Sequence, residues 1–310
     1  MALHVAVVIV GFRNCVDIVE CLGALARSLY GDFEIVICEN GGAAACAALG
    51  EALPARLPGG QPVRLICAGT NLGYAGGVNA GIAAAADCDA WWVLNPDTLP
   101  EPAALEALVE RLGRGDCEAV GGVIQLPTGR VQTYGGQWQR LLARAVSLGH
   151  GQPVAHPFDA AEIESRQNYL SGASMLVGRV FLETVGPMRE DYFLYCEEVE
   201  WCLRGGKAGL RLGFAPGGVV VHKQGGSTGA TVDLRTRSKL SVYLNERNRV
   251  LLSRDCYPAL LPVAVIAVLA TLLVRFGKRR AWRQLGYAVQ GWLSGVLNRR
   301  GVPGWMRAGT

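Results

Sequence analysis

The chain has no CxxC pair, no GxGxxG fingerprint, no GxxxxGKS/T loop, no internal repeat and no low-complexity tract. Each absence removes a class. Ten cysteines are present but scattered singly, several inside apolar runs, so neither a zinc site nor a disulfide framework is indicated. They read as reduced core residues of a cytosolic protein. Without the glycine fingerprints, a nicotinamide dehydrogenase is a poor candidate and a P-loop nucleotidase is not indicated. Charged residues make up only 18% of the chain, and a net charge of +4 is too small to argue for nucleic acid. The opening apolar run lacks a basic stretch before it and is short for a signal peptide, so the bulk of the protein is expected in the cytoplasm. What is abundant is apolar side chain, half of all residues. The mean hydropathy of +0.23 is high for a fully soluble enzyme.

The chain is organised around residues 91–98, WWVLNPDT. Its first half is a run of strand formers. Pro96 cannot donate a ladder hydrogen bond, so the strand must stop there. Asn95 and Asp97 are thereby set at the carboxyl end of a buried strand, where open α/β sheets bind ligands. A carboxylate beside an amide oxygen suits a hard divalent cation shared with a diphosphate. The plain alternative is a turn in which Asp97 caps the following helix.

Apolar periodicity predicts strands at 4–10, 33–38 and 63–67 and helices at 14–29 and 43–53. A glycine-rich loop follows at 69–77, then a small-residue helix at 78–86, before the strand at 91–94. This alternation implies a mainly parallel sheet with helices on both faces, an α/β class. Later come a helix at 101–114, a strand at 119–125, a loop-like stretch at 127–167, a strand at 169–177 and a helix at 179–185. A short extended piece at 191–204 runs into a helix, and strands at 210–216 and 218–222 close the sheet. Long loops in compact domains are usually binding loops or disordered. Polar groups at the strand ends (Glu39, Asn95, Asp97, His222) and the cluster Glu197, Glu198 and Glu200 can converge on one cleft. Singly, each has a structural reading: Glu39 as a cap, His222 as a satisfied histidine, the glutamates as partners of a helix dipole.

Six blocks in order are more specific than any one of them: TNLGYAGGVNAGI at 70–82, VLNPDT at 93–98, LSGASMLVGR at 170–179, FLYCEEVEWCLR at 193–204, VVVHKQGGST at 219–228 and YLNERNRVLL at 243–252. Over about residues 5–254 the chain resembles the inverting, nucleotide-sugar-dependent glycosyltransferases of family 2, with the GT-A fold, in their rhamnosyltransferase-like branch. The resemblance implies that Asp97, with Asn95 in place of a first aspartate, occupies the metal-binding motif, with His222 a further ligand to Mg2+ or Mn2+. Imidazole favours Mn2+ of the two. It implies donor contacts from Glu39 (to a pyrimidine ring), Asn71, Gly73, Asn79 and Arg247, though Arg247 reads equally as part of a solvated basic helix face. It implies an acceptor region at Ser171, Gly172 and Trp201. The catalytic base is Glu198 or its neighbour Glu197, where the family usually has Glu-Asp. The implied donor is dTDP-L-rhamnose, with a UDP-hexose or another dTDP-sugar as the alternative. The implied acceptor is a cell-surface glycan or a polyprenyl-linked precursor. A catalytically silent sugar-nucleotide-binding protein is the rival from another class.

After residue 230 the character changes. A basic amphipathic helix at 239–252 is followed by an apolar run at 257–274, then an aromatic and basic stretch at 282–297. The division expected is a GT-A domain over 1–230 and a helical, membrane-associated segment over 231–310. The apolar run is long enough to span a bilayer at the short end of the range. Its prolines and basic flanks favour an in-plane helix on the cytoplasmic face of the membrane. The alternative is a helix buried on the catalytic domain or against a second copy in a homodimer.

Overall fold

The computed structural model describes residues 3–223 and 233–307. Its core is a mixed sheet in two halves. The first is parallel, in the order β3 (Val63–Cys67), β2 (Phe33–Glu39), β1 (Val5–Gly11) and β4 (Ala90–Leu94). Val5 pairs with both Phe33 and Ala90. Every residue of β1 and β4 is buried, as strands covered on both faces must be, and this is why they read as unbroken apolar runs. Helices α1 (Cys15–Leu25), α2 (Ala43–Ala52) and α3 (Gly73–Ala84) make the crossovers.

β4 turns at Asn95, Pro96 and Asp97 into the short strand β5 (Thr98–Pro100), and α4 (Ala104–Leu112) follows. β6 (Ala119–Gln125) runs parallel to β11 (Leu212–His222), and β5 closes the far edge antiparallel to β11. β10 (Ser174–Gly178) joins the halves, antiparallel to both β4 and β6. α6 (Arg179–Val185) and α7 (Glu197–Lys207) lie between β10 and β11.

Local departures from the sequence pattern have physical reasons. α3 begins at Gly73, inside the stretch expected as a loop. A Cβ at Gly77 or Gly81 would lie within 2.6 Å of Val10 or Val8, so the glycines let the helix rest directly on β1. Packing outweighs their poor helix propensity. The loop-like stretch 127–167 contains β7 (Val131–Thr133), the hairpin β8 (Gly136–Gln139) and β9 (Arg144–Ser147), and α5 (Ala160–Arg166). Strands of three or four residues are too short for periodicity to reveal. The two strands expected at 210–216 and 218–222 are one bulged strand, its register shifting between Ala215 and Val219. The cysteine expectation is corrected at one pair: Cys46 and Cys67 form a disulfide with Cα atoms 5.6 Å apart, and the other eight are free. Proximity across the α2–β3 packing, not sequence spacing, brings them together.

The C-terminal region departs most. α8 (Lys239–Cys256) was expected as a basic amphipathic helix, but Arg247, Asn248, Arg249 and Glu246 are all buried. It shares one hydrophobic core with β1, β4, β10 and α7, and with α9 (Leu261–Lys278) and α10 (Trp282–Val296). Its charges are matched internally: Glu246 accepts from Arg249 at 2.7 Å. α9 buries only Ala264, Val268, Leu272 and Phe276, a one-sided stripe. Its opposite face exposes Val263, Ile266, Leu273 and Val274. The Trp292 indole of α10 donates to the Val265 carbonyl at 2.9 Å, holding the two helices together. The glycine-rich residues 225–227, and the block at 219–228 from residue 224 onward, lie outside the described residues.

Candidate active site

The carboxyl ends of the strands gather the polar residues. Glu39, the last residue of β2, is 1% exposed. Its Oε1 accepts from the Gly41 amide at 2.7 Å and the Arg13 amide at 3.0 Å. The neighbouring Asn40 carboxamide donates to the Gly73 carbonyl at 2.9 Å, and Asn71 Oδ1 accepts from the Gly73 amide at 3.0 Å. Gly73 has φ +74, and a Cβ there would come within 2.3 Å of the Phe193 carbonyl oxygen, so only glycine fits. Glu39, Asn71 and Gly73 are thus one connected corner at the start of α3.

At the end of β4, the Thr98 hydroxyl donates to the Asn95 carbonyl at 2.6 Å and tightens the Asn95–Pro96–Asp97 turn. The Asn95 amide donates to the Ala173 carbonyl at 3.1 Å. Pairing of His222 with Thr98 in the β11–β5 ladder then brings His222 against the turn. His222 Nε2 lies 3.2 Å from Asp97 Oδ1, while Nδ1 lies 2.9 Å from Gln132 Oε1 on β7. One carboxylate oxygen and one imidazole nitrogen, the imidazole oriented by an amide, make a donor pair that fits a divalent ion such as Mn2+. Oxygens of a bound diphosphate and water would complete its shell.

The second cluster begins α7. The preceding residues Phe193, Tyr195 and Cys196 have φ of 68, 73 and 71, left-handed values that strain non-glycine residues. A single buried carboxamide holds them: Asn248 Nδ2 donates to the carbonyls of Tyr192, Leu194 and Tyr195 at 3.0, 2.8 and 2.8 Å. Glu197 points inward. It is 2% exposed and its Oε2 has no hydrogen-bond partner. Burial, and then the charge of Glu198, push it up to about 8. Glu198 is half-buried, its Cγ 3.6 Å from where a Cβ on Gly172 would sit, and burial also raises its carboxyl. The Tyr74 hydroxyl donates to the Gly172 carbonyl at 2.6 Å. Burial, and then Glu198, Glu197 and Asp97, raise that phenol, so Tyr74 stands among both clusters. Ser171 belongs to the same turn, its Oγ accepting from the Ala173 amide at 3.3 Å.

Three sequence assignments are corrected by their contacts. Trp201 is fully buried, its indole donating to the Gly186 carbonyl at 2.8 Å and its ring edge-on to Phe181, so it is core and not acceptor surface. Arg247 is 1% exposed and bonds Tyr192 O at 2.7 Å, Gly301 O at 2.6 Å and Asn248 Oδ1 at 2.8 Å, so it is a buried tie between segments and not a surface donor to a diphosphate. Asn79 spends its carboxamide on Met188 and Glu190, tying α3 to the segment before α7. Conversely, sequence reasoning gave no role to Tyr74, Gln132 and Asn248. Tyr74 and Asn248 lie inside the singled-out blocks at 70–82 and 243–252. Gln132 carried no signal.

A sheet with an Asp–His pair and a carboxylate cluster at its carboxyl edge is an α/β fold with its polar groups gathered where such sheets bind ligands. Residues 3–250 match the family described as glycosyltransferase like family 2, and the chain belongs to that family. It is 33% identical over 187 residues to the N-acetylglucosaminyl-diphospho-decaprenol L-rhamnosyltransferase of Mycobacterium tuberculosis, covering 54% of this chain and 61% of that protein. It is 26% identical to the low-salt glycan biosynthesis hexosyltransferase Agl10 of Haloferax volcanii, over 78% of each chain. Among solved structures, the mannosyltransferase PcManGT of Pyrobaculum calidifontis, in complex with GDP-Man and Mn2+, superposes with a TM-score of 0.58 at 16% identity, covering 96% of this chain and 88% of that one. GalNAc-T7 with UDP, GalNAc and Mn2+ gives 0.59 at 15% identity, covering 80% and 51%. These likenesses show the GT-A fold.

Proposed function

We infer that this chain is an inverting, metal-dependent glycosyltransferase that moves L-rhamnose from dTDP-L-rhamnose to a cell-surface glycan or its lipid-linked precursor. The observation that carries the reading is that the turn bearing Asp97, 3.2 Å from His222, is bonded through the Asn95 amide to Ala173, next to the Gly172 turn against which Glu198 and Tyr74 lie. Glu39 and Asn71 line the nucleotide end, and Ser171 and Gly172 the acceptor end. In a single displacement, the Glu198 carboxylate takes the proton of the acceptor hydroxyl. That oxygen bonds to the anomeric carbon while the bond from that carbon to the diphosphate oxygen breaks. A raised carboxyl is a stronger base once ionised, which suits this task. Glu197, held protonated by burial, is the poorer base of the two. A divalent ion on Asp97 and His222, with Asn95 at the same turn, would stabilise the departing diphosphate.

The rhamnose assignment is supported by the mycobacterial relative, and a lipid-linked acceptor by that relative's decaprenol-linked substrate. Residues Pro258–Lys278 are long and apolar enough to cross a membrane. The packing of α9 along one side on α8 and α10 favours an in-plane seat, with its exposed apolar face in the lipid and Lys278, Arg279, Arg280 and Arg283 toward the headgroups. The test is a thermal-shift panel of dTDP, UDP, GDP and ADP and their sugars, each with and without Mn2+. Metal-dependent stabilisation by dTDP and dTDP-rhamnose supports the reading. A response to GDP alone removes the rhamnose donor, and no response from folded protein removes the transferase.

A further inference from the structure

The inserted stretch 127–167 encloses a cavity that the reaction described above leaves unused. It has a volume of about 350 Å³ and is lined in part by Tyr134, Ser147, His156, Phe158, Glu162 and Arg166. That size lies within the range of small-ligand sites, roughly 300–1,000 Å³. Its lining residues Tyr134, Leu148 and Ile163 belong to a separate apolar cluster, with Val131 and Phe214 packed behind them.

Two chains of contacts join the cavity to the candidate active site. On one side, Ser147 on the cavity rim pairs with Gly136 in the β8–β9 hairpin, and the Gly136 amide donates to the Tyr169 carbonyl at 2.9 Å, two residues before Ser171. On the other, the Val131 amide donates to the Gln152 carbonyl at 2.8 Å, and the Gly151 amide to the Val131 carbonyl at 2.9 Å. These bonds fix the rim to β7, whose Gln132 orients His222.

The lining has two chemical characters. Tyr134 and Phe158 form an aromatic wall, their centroids 4.8 Å apart, with the buried Phe214 edge-on behind both. Phe158 remains 39% exposed, and the buried Tyr134 hydroxyl has no hydrogen-bond partner. Opposite this wall stand His156 and the exposed pair Arg166–Glu162, 2.8 Å apart. A phosphate is a poor match, because Asp159 and Glu162 outweigh the single arginine. A lipid chain is a poor match for the charged rim. A pyranose ring fits both parts, with an apolar face of C–H bonds for the aromatic wall and a belt of hydroxyls for the carboxylate and guanidinium.

We propose that this cavity holds a sugar ring of the acceptor glycan, adjacent to the sugar whose hydroxyl reacts beside Glu198. The proposal rests on the transferase reading, and its test separates the two. The full chain, and its Phe158→Ala and Arg166→Ala variants, are examined by saturation-transfer NMR against methyl glycosides and disaccharides of rhamnose, glucose, galactose and N-acetylglucosamine. Arg166 and Glu162 are exposed, so Arg166→Ala leaves the fold intact, and melting curves confirm it for both variants. The expected result is saturation of the ring protons of at least one sugar, weakened about tenfold or more in both variants, with the nucleotide and Mn2+ response unchanged. Equal signals in variants and parent overturn the proposal, as does silence from every sugar in protein that still responds to nucleotide. Sugar binding without any nucleotide response leaves the cavity's ligand class standing and removes its role as an acceptor subsite.

Discussion

The imidazole of His222 lies between Asp97, 3.2 Å from its Nε2, and Gln132, 2.9 Å from its Nδ1. Two residues distant in sequence thus flank a ring that faces a carboxylate on one side and an amide on the other. Gln132 fixes which way the ring points. Gln132→Leu should therefore weaken Mn2+ binding roughly 10- to 100-fold, the usual cost of losing an outer partner of a metal ligand. Asp97→Ala should abolish it. Titrating Mn2+ into nucleotide-bound protein and following the melting temperature checks both, and an unchanged Gln132→Leu curve refutes the positioning role.

The paired glutamates should separate by chemistry. Glu198→Gln removes the base and should lower kcat by roughly 100- to 10,000-fold. Glu197→Gln replaces an already protonated acid by its neutral isostere and should leave most of the activity. The sign of the accompanying pH effect follows from burial. Glu197 is raised to about 8 in the folded chain, above its unfolded value, so the native state holds the proton more tightly. Its contribution is complete below the unfolded value of 4.5 and is lost as pH rises through about 8. The stability of the parent relative to Glu197→Gln should then fall between pH 5 and pH 8, measured by urea denaturation at each pH. A parallel pair of curves would show that Glu197 is ionised in the native state.

Asn248 deserves separation from Arg247, its neighbour on α8. Asn248→Ala removes the side-chain donor of the Leu194 and Tyr195 carbonyls, while Tyr192 keeps Arg247, next to three strained residues. A loss of about 2–4 kcal/mol in unfolding free energy is expected from orphaning buried acceptors. Because the same segment aims Glu198, kcat should fall while the nucleotide thermal shift persists in the folded fraction. A drop in stability with kcat intact would make Asn248 a fold residue only.

The outward face of α9 gives a prediction independent of catalysis. Ile266→Glu and Leu273→Glu change exposed positions, so the unfolding free energy should move by less than about 0.5 kcal/mol. Flotation with vesicles containing anionic lipid should be lost in both. Retained flotation would place the lipid contact elsewhere or show that the chain makes none.

The sequence by itself determined the parallel half of the sheet, because strands covered on both faces must be mainly apolar, and residues 5–11 and, but for Glu34, 33–38 are. It also determined that Asp97 stands at a strand end, since Pro96 closes the ladder there. The ordered blocks determined the family. Tertiary structure alone decided the rest. The meeting of His222 with Asp97 depends on β5 pairing with β11, a contact between residues more than a hundred positions apart. The charges of α8 look solvated from their spacing, but the Tyr192 and Gly301 carbonyls satisfy Arg247, and Glu246 with the Ala143 carbonyl satisfies Arg249, so the helix lies in the core. Trp201 is apolar and aromatic whether it faces a glycan or Phe181, and only packing chose the latter. Local pattern reports which residues avoid water, whereas the partner that takes water's place is a property of the folded chain.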